Sequence, residues 1–177
     1  MARSVALLRG INVGGNSVIR MADLRACFER GGFADVETYI QSGNVLFTAI
    51  GPPATLIARI EAMLADDFGH PIPVVLRSRA QLSAVVDRAP EGFGDRPDEF
   101  RSDVIYLRPG ITPAKALAAV ATKDGVDRAW VGPGVLYFER LTARASQSRL
   151  SKIVSSPIYP HVTIRTWRTT VEVLRRL

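Results

Sequence analysis

The chain of 177 residues is 47% hydrophobic with a net charge of +6, which is enough to fill a core, while no apolar run reaches the roughly 20 residues that cross a bilayer. Residues 1–9 lack the long apolar stretch of a secretion signal, and Arg9 interrupts their short run. A single cysteine, Cys27, excludes an intrachain disulfide and any cysteine-based metal centre, so the expected setting is a reducing cytoplasm with no membrane partner.

Residues 5–12 form an apolar run of strand length that leads into the glycine-rich stretch 13–17. Met21, Leu24, Cys27 and Phe28 then recur at helical spacing, with Asp23 in the first turn and Gly31-Gly32 as the stop. Residues 36–40 and 45–48 read as short strands joined by Gln41-Ser42-Gly43-Asn44, which has hairpin-turn composition. Pro53 suits the first position of a helix whose stripe is Leu56, Ile57, Ile60, Leu64 and Phe68, ended by Gly69. A strand at 73–77 closes the series β-α-β-β-α-β, the split βαβ order of a ferredoxin-like plait.

A short helix near Leu82 and Val85 and a Pro/Gly/Asp-rich linker at 90–99 lead into the same order again. Strands are expected at 104–107, 129–131, 135–138 and 162–165, and helices from Thr112-Pro113 and at 150–154. A terminal helix follows, with Thr169 and Glu172 at capping-box spacing and Val171, Leu174 and Leu177 on one side. The expected class is therefore α+β, two tandem ferredoxin-like βαββαβ units with additional short helices. The first unit spans 1–78; residues 79–177 hold the connecting helix, the second unit and the C-terminal helix.

Alternation groups Val5, Leu7 and Ile11 against Ala6 and Leu8, and Val104 and Tyr106 against Ile105 and Leu107, so both faces of both sheets should be buried. Helices of a plait cover one face, which leaves the other to be covered by its counterpart, by the extra helices or by a second chain.

Charge is divided unevenly. Residues 1–78 carry seven Arg and seven acids, so the whole +6 falls on 79–177, and after Glu139 eight cations face only Glu172. Such a segment favours an anionic partner.

Arg9, Asn12, Gly14, Gly15, Gln41, Ser42, Gly43 and Asn44 resist a packing explanation. In a plait the first and second strands run parallel, so their following loops emerge at one edge, beside the start of the first helix. A cleft for an anion or a polar small molecule is expected there; tight turns alone would also use these glycines. Arg9 alternates with Leu7 and Ile11, which sets a charge among apolar neighbours. Arg149, Ser151 and Lys152 form a second candidate anion site, and Arg165 and Trp167 beside Arg168 could stack on a base or a guanidinium.

His70 and His161, the only histidines, each neighbour a proline and lack triad spacing. No metal motif or cofactor fingerprint is present. Any reaction would therefore rest on Arg, Asn and backbone amides.

The motifs Leu7-Leu8-Arg9-Gly10-Ile11-Asn12-Val13-Gly14-Gly15, Met21-Ala22-Asp23-Leu24-Arg25 and Tyr39-Ile40-Gln41-Ser42-Gly43-Asn44-Val45 resemble the DUF1697 family. Weaker similarity continues to the C-terminus: Ser151-Lys152 resembles a Ser-Lys-Leu stretch with Ile153 for the leucine. Thr163 to Val171 resembles a Thr-x-Arg-Asn-Trp-Asn-Thr-Val ending, with Thr166 and Arg168 for its asparagines. The resemblance implies the tandem ferredoxin-like architecture and supplies no activity, substrate or catalytic residue. Two functions are therefore expected from the residues: binding of a nucleotide or phosphorylated small molecule at the edge of the first unit, or binding of nucleic acid or another polyanion by the basic C-terminal segment.

Overall fold

The structure, a computed structural model, describes residues 2–13 and 18–177. The first apolar run pairs as strand β1, Ala2–Leu8, shorter than hydropathy predicts. It stops there because Gly10 and Asn12 take left-handed φ of 73° and 55°, which a strand does not accommodate. Ile11 consequently joins Ala6 and Leu8 in one buried cluster, where strict alternation would have set it with Val5 and Leu7. Arg9 likewise lies beyond the strand, half-buried, with its N–H donated to the Pro73 carbonyl at 2.9 Å.

Helix α1 (Met21–Arg30), strands β2 (Ala34–Tyr39) and β3 (Asn44–Ala49), helix α2 (Pro53–Phe68) and strand β4 (Val74–Ser78) follow. The sheet order is β2-β3-β1-β4 with every pair antiparallel. Leu24, Cys27 and Phe28 of α1 and Leu56, Ile60 and Leu64 of α2 are the buried stripes. They meet Ala6, Leu8, Val45 and Phe47 on one sheet face, each large side chain contributing about 1.5–3 kcal/mol by leaving water.

Helix α3 (Arg79–Asp87) precedes β5 (Phe100–Leu107), α4 (Pro113–Ala119), β6 (Asp127–Gly132), β7 (Val135–Leu141) and β8 (Val162–Thr166). This second sheet has the order β6-β7-β5-β8, again all antiparallel. The fold is thus α+β with two four-stranded antiparallel sheets.

Between β7 and β8, where the first unit has α2, stand three 3-10 turns, Thr142–Gln147, Leu150–Ser155 and Tyr159–His161. Serine hydroxyls compete for the backbone here: Ser148 Oγ accepts from Leu150 N, and Ser155 Oγ donates to the Lys152 carbonyl. Pro157 and Pro160 then forbid helix continuation. Leu150 and Ile153 still reach the core.

Helix α5 (Trp167–Arg176) begins two residues before the expected capping box. Its cap is Thr166, whose Oγ1 accepts from Thr169 N at 3.2 Å. The register moves with it, so Thr170 and Val173 are buried while Val171 is 40% exposed.

Two compact units result, residues 1–82 with 173–177, and residues 83–172. In each, the sheet face opposite the helical stripes is also buried, through Val5, Leu7 and Leu46 in the first and Val104, Tyr106 and Tyr137 in the second. In the second unit Tyr137 Oη donates to Val85 O in α3 at 2.7 Å, and Tyr106 Oη to Thr170 Oγ1 in α5 at 2.9 Å. In the first, the last turn of α5 reaches the edge strand β2: Arg176 Nη1 meets Glu37 Oε1 at 2.5 Å and its guanidinium lies over the Tyr39 ring at 4.5 Å. No helix among the described residues is long and apolar enough to cross a membrane.

Burial pushes the Tyr137 phenol up from 10 to about 12. The folded state therefore holds this proton when the unfolded chain has lost it, so stability is unaffected below pH 10 and falls as pH rises from 10 toward 12. Urea unfolding should show a loss of about 2 kcal/mol by pH 11.5 that Tyr137→Phe lacks. An alkaline profile unchanged by Tyr137→Phe would assign the loss to other groups.

Candidate functional site

The end of β1 and the β2–β3 turn lie at one sheet edge, because β1 and β2 both run antiparallel to β3. Leu8 N donates to the Gly43 carbonyl at 2.8 Å. Asn12 draws the rest together: its Nδ2 donates to Ile19 O at 3.0 Å and Gln41 O at 2.9 Å, and its Oδ1 accepts from Ile19 N at 2.7 Å. One amide thus ties residue 19 and the hairpin turn to the end of the first strand. Gly14 and Gly15 lie outside the described residues.

Gly43 has a φ of 78°, and a Cβ there would stand 2.6 Å from Ile11 Cδ1 and 3.0 Å from Leu8 Cβ, so only glycine lets Ile11 fill the core beneath the turn. Asn44 is fully buried; its Nδ2 donates to Tyr39 O at 2.8 Å and to Ser42 Oγ at 3.1 Å. Asn12, Gly43 and Asn44 are therefore occupied in shaping the edge. Gln41 and Ser42 are exposed and Arg9 is half-buried.

Sequence gave no sign of Ile40. It holds a left-handed φ of 49° and is 46% exposed, a backbone state that costs a residue with a Cβ about 1–2 kcal/mol and is an outlier for a β-branched one. Val13 and Val18, in the connection from β1 to α1, are also exposed.

In the second unit, Arg149, Ser151 and Lys152 are exposed on the 3-10 turns. The Arg149 backbone is fixed by N–H donation to Asp127 Oδ2 at 2.8 Å, while its side chain and that of Lys152 make no hydrogen bond or ion pair among the described residues. Arg165 is placed elsewhere, only 6% exposed, with Nη1 donating to Thr163 Oγ1 at 2.9 Å and Ile164 O at 2.8 Å. Burial pulls its guanidinium down to about 10. Trp167 is half-buried, edge-on to Phe93 with centroids 5.2 Å apart, and Arg168 is exposed.

Composition alone marks 90–99 as a linker, yet this segment lines two clefts in the second unit. One, about 560 Å³, is walled by Phe100, Arg101, Thr142, Trp167 and Arg168. A smaller one, about 230 Å³, sets Arg96 and Arg128 among Glu91, Asp95 and Glu139, with Arg128 already paired to Glu139 and Arg96 to Glu99. Burial raises the pKa of Asp103, against the pull of Arg101 and Arg140. Cys27 is buried and pushed up to about 12, mainly by burial, so its thiol stays protonated. Among the described residues no group of three or more His, Cys, Asp or Glu could hold a metal ion.

A family model described as a protein of unknown function, DUF1697, matches residues 1–137. None of the curated proteins compared with the chain matches it. Among solved structures, the conserved bacterial protein SP0830 from Streptococcus pneumoniae is similar, with 27% identity, a TM-score of 0.85 and coverage of 98% of this chain and 97% of its own. The family model spans well over half the chain and includes the β1 end, the Asn12 tie and the β2–β3 turn, and on that match the chain belongs to the DUF1697 family.

Proposed function

We propose that the protein binds a small anion, a nucleotide or a phosphorylated small molecule, where residues 9–13 meet the 40–44 turn, on the first of two tandem ferredoxin-like plaits. Support for the plaits comes from the two sheets, which use their strands in the same order, the first strand central beside the third and fourth and the second at the edge. The observation that carries the binding site is the Asn12 side chain, whose three hydrogen bonds gather both turns around Arg9, Gln41 and Ser42. No carboxylate occurs in 9–13, 18–20 or 40–44 to compete for a ligand's charge. A turn that only reversed the chain would carry Gly or Asn at position 40, whereas strain such as that of Ile40 collects at binding sites.

Inorganic pyrophosphate is the first probe, since an anion bound only by the native state raises Tm. Arg9→Ala should keep wild-type stability to within about 1 kcal/mol and lose the shift. Asn44→Ala should instead cost about 1–3 kcal/mol by stranding the Tyr39 carbonyl. An Arg9→Ala protein that is strongly destabilised yet still shifts with pyrophosphate would make Arg9 a structural residue and end the proposal.

The side chains of Arg144, Arg149 and Lys152, without partners among the described residues, favour a second reading, polyanion binding by this segment. Their joint replacement by Ala should weaken oligonucleotide binding equally for all sequences and flatten its salt dependence. An unchanged affinity and salt slope would remove the segment from consideration.

A further inference from the structure

We propose that the cleft beside the start of β5 in the second unit binds a planar heteroaromatic anion of nucleoside-monophosphate size, its ring against Trp167 and its charge on Arg168. The cleft, about 560 Å³, has the size of small-molecule pockets, roughly 300–1,000 Å³. Its walls decide the chemistry of the guest. Phe100, Trp167 and the backbone of Gly94 supply apolar surface, and Arg101 and Arg168 supply charge, with no carboxylate among the lining residues.

Arg101 is already answered by Asp103 at 3.2 Å. Arg168 makes no hydrogen bond or ion pair with any described residue, and neither Trp167 Nε1 nor the Thr142 hydroxyl has a hydrogen-bond partner among them. Three residues whose donors have no partner among the described residues therefore line an apolar space, the combination that suits a ligand with an apolar body and acceptor groups.

The indole is also held still. Phe93 meets it edge-on at 5.2 Å, and Gly94, at φ 80°, lies so close that a Cβ would overlap Cδ1, Nε1 and Cγ of the ring. Phe100 is fixed in turn by the guanidiniums of Arg96 and Arg128, 4.8 and 4.5 Å from its centroid. A rigid wall costs little entropy on binding, and an indole face is a stacking surface for a base.

Titration calorimetry on the full chain with 5′-AMP, 5′-UMP, adenosine and ribose 5-phosphate separates ring from charge. Both nucleotides should bind, with adenosine and ribose 5-phosphate each at least about tenfold weaker, the loss of one charge-assisted contact or of the stack. Arg168→Ala, an exposed change that should leave folding intact, should weaken 5′-AMP about tenfold or more. Repeating the Arg168→Ala comparison in an Arg9→Ala background removes any contribution of the first-unit edge, so that the remaining difference reports this cleft alone. Absence of saturable binding by both nucleotides, or equal affinity for 5′-AMP in Arg168→Ala and the wild type, overturns the proposal.

Discussion

Gly94→Ala is expected to destabilise the second unit by about 2–5 kcal/mol, combining a Cβ in left-handed backbone, about 1–2 kcal/mol, with overpacking against a rigid ring, about 1–3 kcal/mol. Gly94 has φ 80°, and the missing Cβ is what lets Trp167 lie flush with the linker. On one side the ring cannot give way, because Phe93, which meets it edge-on, itself contacts Trp130 and Tyr137 with centroids 6.1 and 5.3 Å away. The two contributions separate in a Trp167→Ala background, where only the backbone cost of Gly94→Ala should remain. Urea unfolding of the four proteins measures this; an equal cost in both backgrounds would show that the ring is not what the glycine accommodates.

Glu139→Ala should cost about 2–4 kcal/mol, because it leaves buried donors without their acceptor, about 1–3 kcal/mol for each. The carboxylate is 4% exposed and serves three segments: Oε1 accepts from Ser102 Oγ at 2.8 Å and from Gly94 N at 3.4 Å, and Oε2 from Arg128 Nη2 at 2.9 Å. The Arg128 side chain is half-exposed and can turn to water, so the main loss falls on the buried Ser102 hydroxyl and on the linker backbone. Glu139→Gln keeps one acceptor oxygen and should cost less, about 1–2 kcal/mol. Faster proteolytic nicking within 90–99 should accompany Glu139→Ala. A loss below 1 kcal/mol with an intact linker would mean that Glu139 is not the tie that its geometry implies.

The elements were legible wherever side-chain period and stop residues agreed. Leu24, Cys27 and Phe28 mark α1, and Pro53 and Gly69 bracket α2, because burial of one helical face and the φ limits of Pro and Gly are local properties. What escaped was set by backbone state or by tertiary contact. The apolar run of β1 continues past Leu8, and nothing in residue type reveals that Asn12 leaves the strand in left-handed conformation to bond Gln41. Leu150 and Ile153 have helical spacing, yet the surrounding serines and prolines make 3-10 turns. Arg165 and Arg168 are equal in a charge count; one is buried beside Thr163 and the other exposed, a difference that follows from the faces of β8 and the start of α5.

The candidate site was legible in part for the same reason. Parallel β1 and β2 place their loops at one edge, so the grouping of Arg9, Asn12 and residues 41–44 follows from topology. The division of labour among them does not, since it depends on which amides the fold itself consumes. Trp167 beside Arg168 already stood out as able to stack on a base, but the cleft they line with Phe100 was hidden, because residues 94 and 97 of the linker join it only in the folded chain.

The most direct test of the first-unit edge is an amide ¹H–¹⁵N titration of the full chain with pyrophosphate. Binding at that edge predicts saturable shifts concentrated in Arg9, Gly10, Ile11, Gln41, Ser42 and Gly43, lost in Arg9→Ala. Saturable shifts confined to residues 144–152 or to the Trp167 cleft, with the 9–13 and 40–44 amides unmoved, would contradict it.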